Sequence, residues 1–216
     1  GTTINGYIGG LIGQNSSGAI SSSTASGDVV SSGDYTGGLI GQNSSSTISN
    51  SFATGKIIGA SSIGGLIGYN ANSSTVNGSY ATGDVEATGS NVGGLIGYNY
   101  YLSHIGTTTA NYATGNVSST SGNSVGGLIG YNYYSNIGNN TTETYAKGSV
   151  SGTSNVGGLI GQNSSSTVTN SYTGTKTGSN ISTKAGTVTA TTTSGNAGGL
   201  IGYNNSGAIS SVKSSG

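Results

Sequence analysis

The stretch Gly93-Gly-Leu-Ile-Gly-Tyr-Asn99 recurs seven times, with Gln or Tyr at its sixth place. It reads GGLIGQN at Gly9–Asn15, Gly37–Asn43 and Gly157–Asn163, and GGLIGYN at Gly64–Asn70, Gly93–Asn99, Gly126–Asn132 and Gly198–Asn204. The first glycines are 28, 27, 29, 33, 31 and 41 residues apart. A near-constant period of this length marks a repeat architecture, in which one unit cannot bury its apolar side alone and stacked units can. A second phrase follows most copies: Phe52-Ala-Thr-Gly-Lys-Ile57, Tyr80-Ala-Thr-Gly-Asp-Val85, Tyr112-Ala-Thr-Gly-Asn-Val117 and Tyr145-Ala-Lys-Gly-Ser-Val150. Thr24-Ala-Ser-Gly-Asp-Val29 is a degenerate forerunner, and Ala185-Gly-Thr-Val188 a displaced remnant.

Glycine supplies 43 of the 216 residues. Each Gly inside a helix costs roughly 0.5–1 kcal/mol relative to Ala, so helices are not expected. The apolar residues are mostly Ile, Val, Leu and Tyr, in short runs bounded by Gly, Asn and Ser, the signature of strands and turns. The reading is an all-β parallel β-solenoid of seven to eight coils, one GGLIG unit per coil. Coils sit roughly 4.8 Å apart, the spacing of paired strands. Residues 1–216 are then one solenoid, with an irregular coil over 173–197 where the second phrase is broken.

Stacking turns equivalent positions into columns. Leu11, Leu39, Leu66, Leu95, Leu128, Leu159 and Leu200 make one column, and the following isoleucines, Ile12 to Ile201, the next. Ile20, Ile48, Val76, Ile105, Ile137, Val168 and Ile209 make a third, and Val29, Ile57, Val85, Val117 and Val150 a fourth. Strand alternation favours Leu inward with Ile and the Gln/Tyr position outward. The alternative is that the glycines bend the chain at a corner and bury both. Asn15, Asn43, Asn70, Asn99, Asn132, Asn163 and Asn204 read as a structural column, because Asn suits turn backbone and stacked amides bond one another. Ten Asn-X-Ser/Thr sequons occur, as expected of a chain so rich in these residues.

Composition excludes much chemistry. There is no Cys, Pro, Met or Trp, and His104 is the single histidine. Disulfides, thiolate metal sites, Cys nucleophiles and His-based triads are therefore ruled out. Five lysines balance five acids at zero net charge, which leaves no basic patch for nucleic acid. No apolar run is long enough to span a membrane. Acids are too few and too scattered for a solenoid hydrolase, so no enzymatic activity is expected, and no cofactor or metal. Asp28, Lys56, Asp84, Asn116 and Ser149 form a column alternating in sign at its start, read as register pins on a solvated surface.

The possible interaction patch is aromatic. Tyr100, Tyr101, Tyr133 and Tyr134 would meet on adjacent coils, with His104 beside them. A Tyr ring offers apolar area and a polar hydroxyl, and so suits a loop cover, a lateral contact between rods or a sugar face. Phe52, Tyr80, Tyr112, Tyr145 and Tyr172 read as plain stacking.

The two phrases together, GGLIG(Q/Y)N and (Y/F)ATG(D/K/N)V, resemble the GLUG repeat of bacterial surface and secreted proteins, among them filamentous-haemagglutinin-like exoproteins, large adhesins and non-catalytic regions of surface peptidases. The resemblance implies an extracellular, cell-surface solenoid stalk or filament and brings no catalytic residues. The absence of an initial Met and the echo between Ala208–Gly216 and Ala19–Gly27 point the same way. They are read as one unit of a longer array or of a head-to-tail fibre. The partner expected is thus another copy, stacked end to end or laterally, with glycans or other surface proteins as further partners. The function expected is a stiff structural rod. The alternatives are a glycan- or host-binding adhesin and, behind it, an ice-binding protein, for which Thr107–Thr109 and Thr187–Thr191 are the motifs.

Overall fold

The structure, a computed structural model, describes residues 6–139, 143–177, 180–183 and 186–214. It is a parallel β-solenoid without helix among these residues. Each regular turn contributes five short strands, as in Val92–Gly93, Ile96–Tyr100, His104–Ile105, Tyr112–Ala113 and Val117–Ser119. Like strands of successive turns pair in parallel, giving five sheets numbered here in that order; sheets 1 to 3 have seven strands and sheets 4 and 5 have six.

Five turns are complete and regular, fewer than the seven to eight coils expected. The sixth leaves sheet 4 after Thr173 for an antiparallel pair, Thr175–Thr177 with Asn180–Thr183, before Val188–Ala190 rejoins sheet 5. The seventh supplies strands only to sheets 1 to 3, and Lys213 adds a single bridge to Tyr172. The long interval between the last two GGLIG copies is therefore an insertion within one turn. Val188 pairs with Val150, so the displaced phrase returns to register, although Ala185 itself lies outside the described residues. So do residues 215 and 216 of the tail.

The register is that of the columns. Ile40, Ile67, Ile96 and Ile129 pair in succession in sheet 2, and Ile48, Val76, Ile105 and Ile137 in sheet 3. Leu39, Leu66, Leu95, Leu128 and Leu159 are fully buried, and so are Ile40, Ile67, Ile96, Ile129 and Ile160. The expectation that Ile faces outward is thus corrected. The chain bends at the glycine pair before Leu, and the two branched side chains enter one core together with the sheet 3 column and the Ala of the second phrase. Burying such a side chain contributes about 1.5–3 kcal/mol.

A second core lies across the glycine pair. Val29, Ile57, Val85, Val117 and Val150 of sheet 5 pack against Ile63, Val92, Val125 and Val156 of sheet 1. From the second to the sixth coil the residue before the glycine pair is therefore a core position. The second glycine separates the two cores at close range. A Cβ on Gly94 would run into the Gly127 carbonyl oxygen and lie 2.9 Å from the Ala113 Cβ. Only Gly fits there, and only a small residue fits opposite, which explains the Ala of YATG.

The asparagine column closes the interior. Each amide donates to the next coil: Asn43 to Asn70 at 2.8 Å, Asn70 to Asn99 at 2.8 Å, Asn99 to Asn132 at 2.9 Å and Asn132 to Asn163 at 2.9 Å. The series begins at Asn15 and reaches Asn204. From Asn43 to Asn163 these side chains are fully buried, and a buried polar group must be paired in this way to be tolerated.

Candidate functional site: a tyrosine ledge

The turn from sheet 2 to sheet 3 is built on a serine column. Ser46, Ser103 and Ser135 each donate their backbone N–H to the hydroxyl of the next coil's serine, at 3.1, 3.3 and 3.0 Å. The residue or two before this serine, or before Gly18 and Gly207 that take its place in the first and last copies, have left-handed backbone in every copy. Five copies place Ser or Asn there: Ser17, Ser45, Asn72 with Ser73, Ser165 and Ser206. The other two place Tyr101 (φ 45°), Leu102 (φ 58°) and Tyr134 (φ 46°). Left-handed backbone costs an ordinary L-residue roughly 1–2 kcal/mol, and Asn least. Large side chains are thus held in a conformation that disfavours them, and they project. Tyr101, Leu102 and Tyr134 are 49, 51 and 48% exposed.

Just before these turns, Tyr100 and Tyr133 pair in register with each other, where other coils have Ser44, Ala71 or Ser164. Their rings stack at 5.6 Å, 7° from parallel. Tyr98 and Tyr131 stack beside them at 5.0 Å and 5°. The two columns are inclined to each other, by 67° between Tyr98 and Tyr100 and 57° between Tyr131 and Tyr133. Tyr134 stands edge-on to Tyr133 at 4.6 Å, and Tyr101 lies 5.9 Å from Tyr100.

The structure therefore brings Tyr100, Tyr101, Tyr133 and Tyr134 together. His104 lies beyond the turn, in sheet 3, paired with Thr75 and Asn136. Sequence reasoning missed the rest of the aromatic run. Tyr98 contacts Tyr69 at 5.5 Å, Tyr69 contacts Tyr35 at 5.5 Å, and Tyr35 contacts Tyr7 at 5.4 Å. Tyr7 and Tyr35 share one place, two residues before the glycine pair. That place abuts the Gln/Tyr position of sheet 2, as Ser124 and Asn155 show by donating to Gln162 Oε1 at 3.0 and 3.4 Å. The sixth place of the phrase is thus half-buried against a corner and not simply a solvent position. Burial, with neighbouring phenols adding to it, pushes the Tyr69 hydroxyl up to about 12 and that of Tyr98 higher still.

The remaining features are structural. Phe52, Tyr80, Tyr112, Tyr145 and Tyr172 stack on sheet 4 at 4.7–5.0 Å. Lys147 Nζ lies 5.1 Å from the centre of the Tyr145 ring. Asp28 and Asp84 do not pair with Lys56 through their carboxylates. They accept the backbone N–H of Lys56 and Asn116, at 2.8 and 2.7 Å, while Lys56 Nζ meets Glu86 at 2.7 Å. The column holds register through backbone bonds and not through alternating ion pairs. Thr107–Thr109 follow sheet 3, whereas Val188–Ala190 lie in sheet 5, so the two threonine motifs do not form one array. Among the described residues no three His, Asp or Glu side chains gather as a metal site would require, and no helix is long and apolar enough to cross a membrane.

The model of the GLUG motif matches residues 4–30, 32–58 and 59–86, three consecutive units that coincide with the first three coils. Residues 4–86 are a GLUG-motif repeat region. The GGLIG phrase continues in the same columns beyond residue 86, through Leu95, Leu128, Leu159 and Leu200. No curated protein and no solved structure matches the chain.

Proposed function

We propose that this chain is a non-catalytic structural rod of the cell exterior, lengthened by stacking further GLUG coils on its ends. The observation that carries the reading is the asparagine column, in which one hydrogen bond of one orientation repeats from Asn15 to Asn204. Each coil offers an acceptor to one side and a donor to the other, so a coil face is complementary to the opposite face of another unit. The added coil belongs either to the same chain or to a second copy. The extracellular setting rests on the kind of protein that the two phrases resemble.

A solenoid gains stability from each nearest-neighbour interface. Two copies fused in register should therefore melt above the single unit. Purified single units should form filaments of uniform width in electron micrographs, with length rising with concentration. A fusion that melts no higher than one copy, together with units that stay monomeric, would remove the proposal. Protease treatment of intact source cells should release the protein if it is surface-exposed.

A further inference from the structure

We infer that the tyrosine ledge on the fourth and fifth coils is a binding site for an uncharged polysaccharide lying along the rod axis. The inference is independent of stacking, since it concerns one side of the solenoid and not its ends.

Three observations carry it. The first is the projection of Tyr101, Leu102 and Tyr134 from left-handed turns that the other five copies fill with Ser or Asn. The same turn is made without them, so the fold does not require them, and strained positions of this kind collect where a ligand is gripped. The second is the pair of inclined columns, Tyr98 with Tyr131 and Tyr100 with Tyr133, whose ring centres lie 5.0 and 5.6 Å apart from one coil to the next. A hexopyranose in an extended chain advances by a similar distance, so successive sugars can meet equivalent rings on successive coils. Stacking covers the ring faces turned toward each other, so these columns present ring edges and hydroxyls, and the apolar area for the C–H face of a sugar comes from the projecting Tyr101, Leu102 and Tyr134.

The third is charge and size. None of the seven strands of sheet 2 carries a charged residue, and Tyr101, Leu102 and Tyr134 add none, so these residues favour an uncharged ligand. With three side chains about half-exposed and four rings partly so, the ledge offers on the order of 400 Å² of aromatic and aliphatic surface. A standard protein interface takes about 800 Å² from each partner. A neutral saccharide chain fits that area, and a folded protein needs more.

The test uses the whole chain and three soluble probes: hexamers of β-1,4-linked glucose, β-1,4-linked N-acetylglucosamine and α-1,4-linked glucose. Tyrosine emission reports binding directly, because the chain has no Trp. At least one hexamer should bind, with micromolar to millimolar affinity. The double variant Tyr101→Ser/Tyr134→Ser restores the residue type of the other turns and should keep the melting temperature at or above that of the parent. It should weaken binding at least tenfold. Tyr172→Phe, in the sheet 4 stack, should bind like the parent. Failure of all three hexamers to bind would overturn the inference. So would binding that the double variant leaves intact. So would self-association lost in the double variant with sugar binding unaffected, since the ledge would then be a contact between rods.

Discussion

Thr36 pairs in register with Ile63 in sheet 1, fully buried, and its hydroxyl has no hydrogen-bond partner among the described residues. Its other neighbour in the column is Ile8, and Val92, Val125 and Val156 continue the series. A polar atom thus stands in an apolar column. An unsatisfied buried hydroxyl costs about 1–3 kcal/mol. Thr36→Val keeps the shape and removes the oxygen. Urea unfolding should show the variant more stable by about 1–2 kcal/mol on the same grounds, and equal or lower stability would mean that the hydroxyl finds a partner in solution.

The asparagine column responds in the opposite direction. Asn99→Ala leaves the Asn70 amide without its acceptor and the Asn132 oxygen without its donor, both fully buried. Two orphaned groups of this kind predict a loss of about 2–4 kcal/mol. Denaturant midpoints of the variant and parent measure it.

Gly94→Ala places a methyl group against the Gly127 carbonyl and the Ala113 side chain. The carbonyl belongs to the next coil's backbone and cannot move without opening the stack. Overpacking of this sort costs about 1–3 kcal/mol. Adding Ala113→Gly relieves the side-chain contact but not the carbonyl, so the double variant should recover only part of the melting temperature.

On the surface, two neighbouring acids should behave differently. Glu86 pairs with Lys56 in an exposed ion pair, which water and salt screen to a small contribution. Asp84 accepts a backbone N–H from the next coil, a charge-assisted bond worth about 1.5–3 kcal/mol where it is shielded and less where exposed, as here. Asp84→Ala should lower the melting temperature more than Glu86→Ala, and raised salt should narrow the effect of Glu86→Ala further.

Alkaline pH tests the half-buried phenols. Tyr69 has its pKa raised from 10.0 to about 12, chiefly by burial. An unfolded chain releases that proton first, so the Tyr69 contribution is intact below pH 10 and is lost as pH rises from 10 through about 12. A tyrosinate absorbance titration should show a late fraction that joins the main transition once the protein is unfolded in urea.

The columns were readable because the same residue types return at the same places. Leu, Ile, Asn and the aromatic of YATG each repeat, and the structure pairs them as the spacing implies. The orientation of Leu and Ile was not readable, because alternation assumes an extended strand and the glycine pair bends the chain just before them. The second core was overlooked because its sheet 1 member varies: Ile8, Thr36, Ile63, Val92, Val125, Val156 and Ala197. Tyr7 and Tyr35 gave no signal as ledge residues, since their contact with Tyr69 runs from one coil to the next and across a corner. Conversely, His104 was placed beside the tyrosines by its nearness in sequence, and the turn at Ser103 carries it into another sheet.

Every carboxamide from Asn15 to Asn163 donates its N–H₂ to the asparagine of the later coil. Their dipoles therefore add instead of cancelling, and each bond polarises the one after it. A long stack of such coils would carry a built-in electrical direction inside a sheath of zero net charge, so its two tips would differ in potential even though their side chains are much alike.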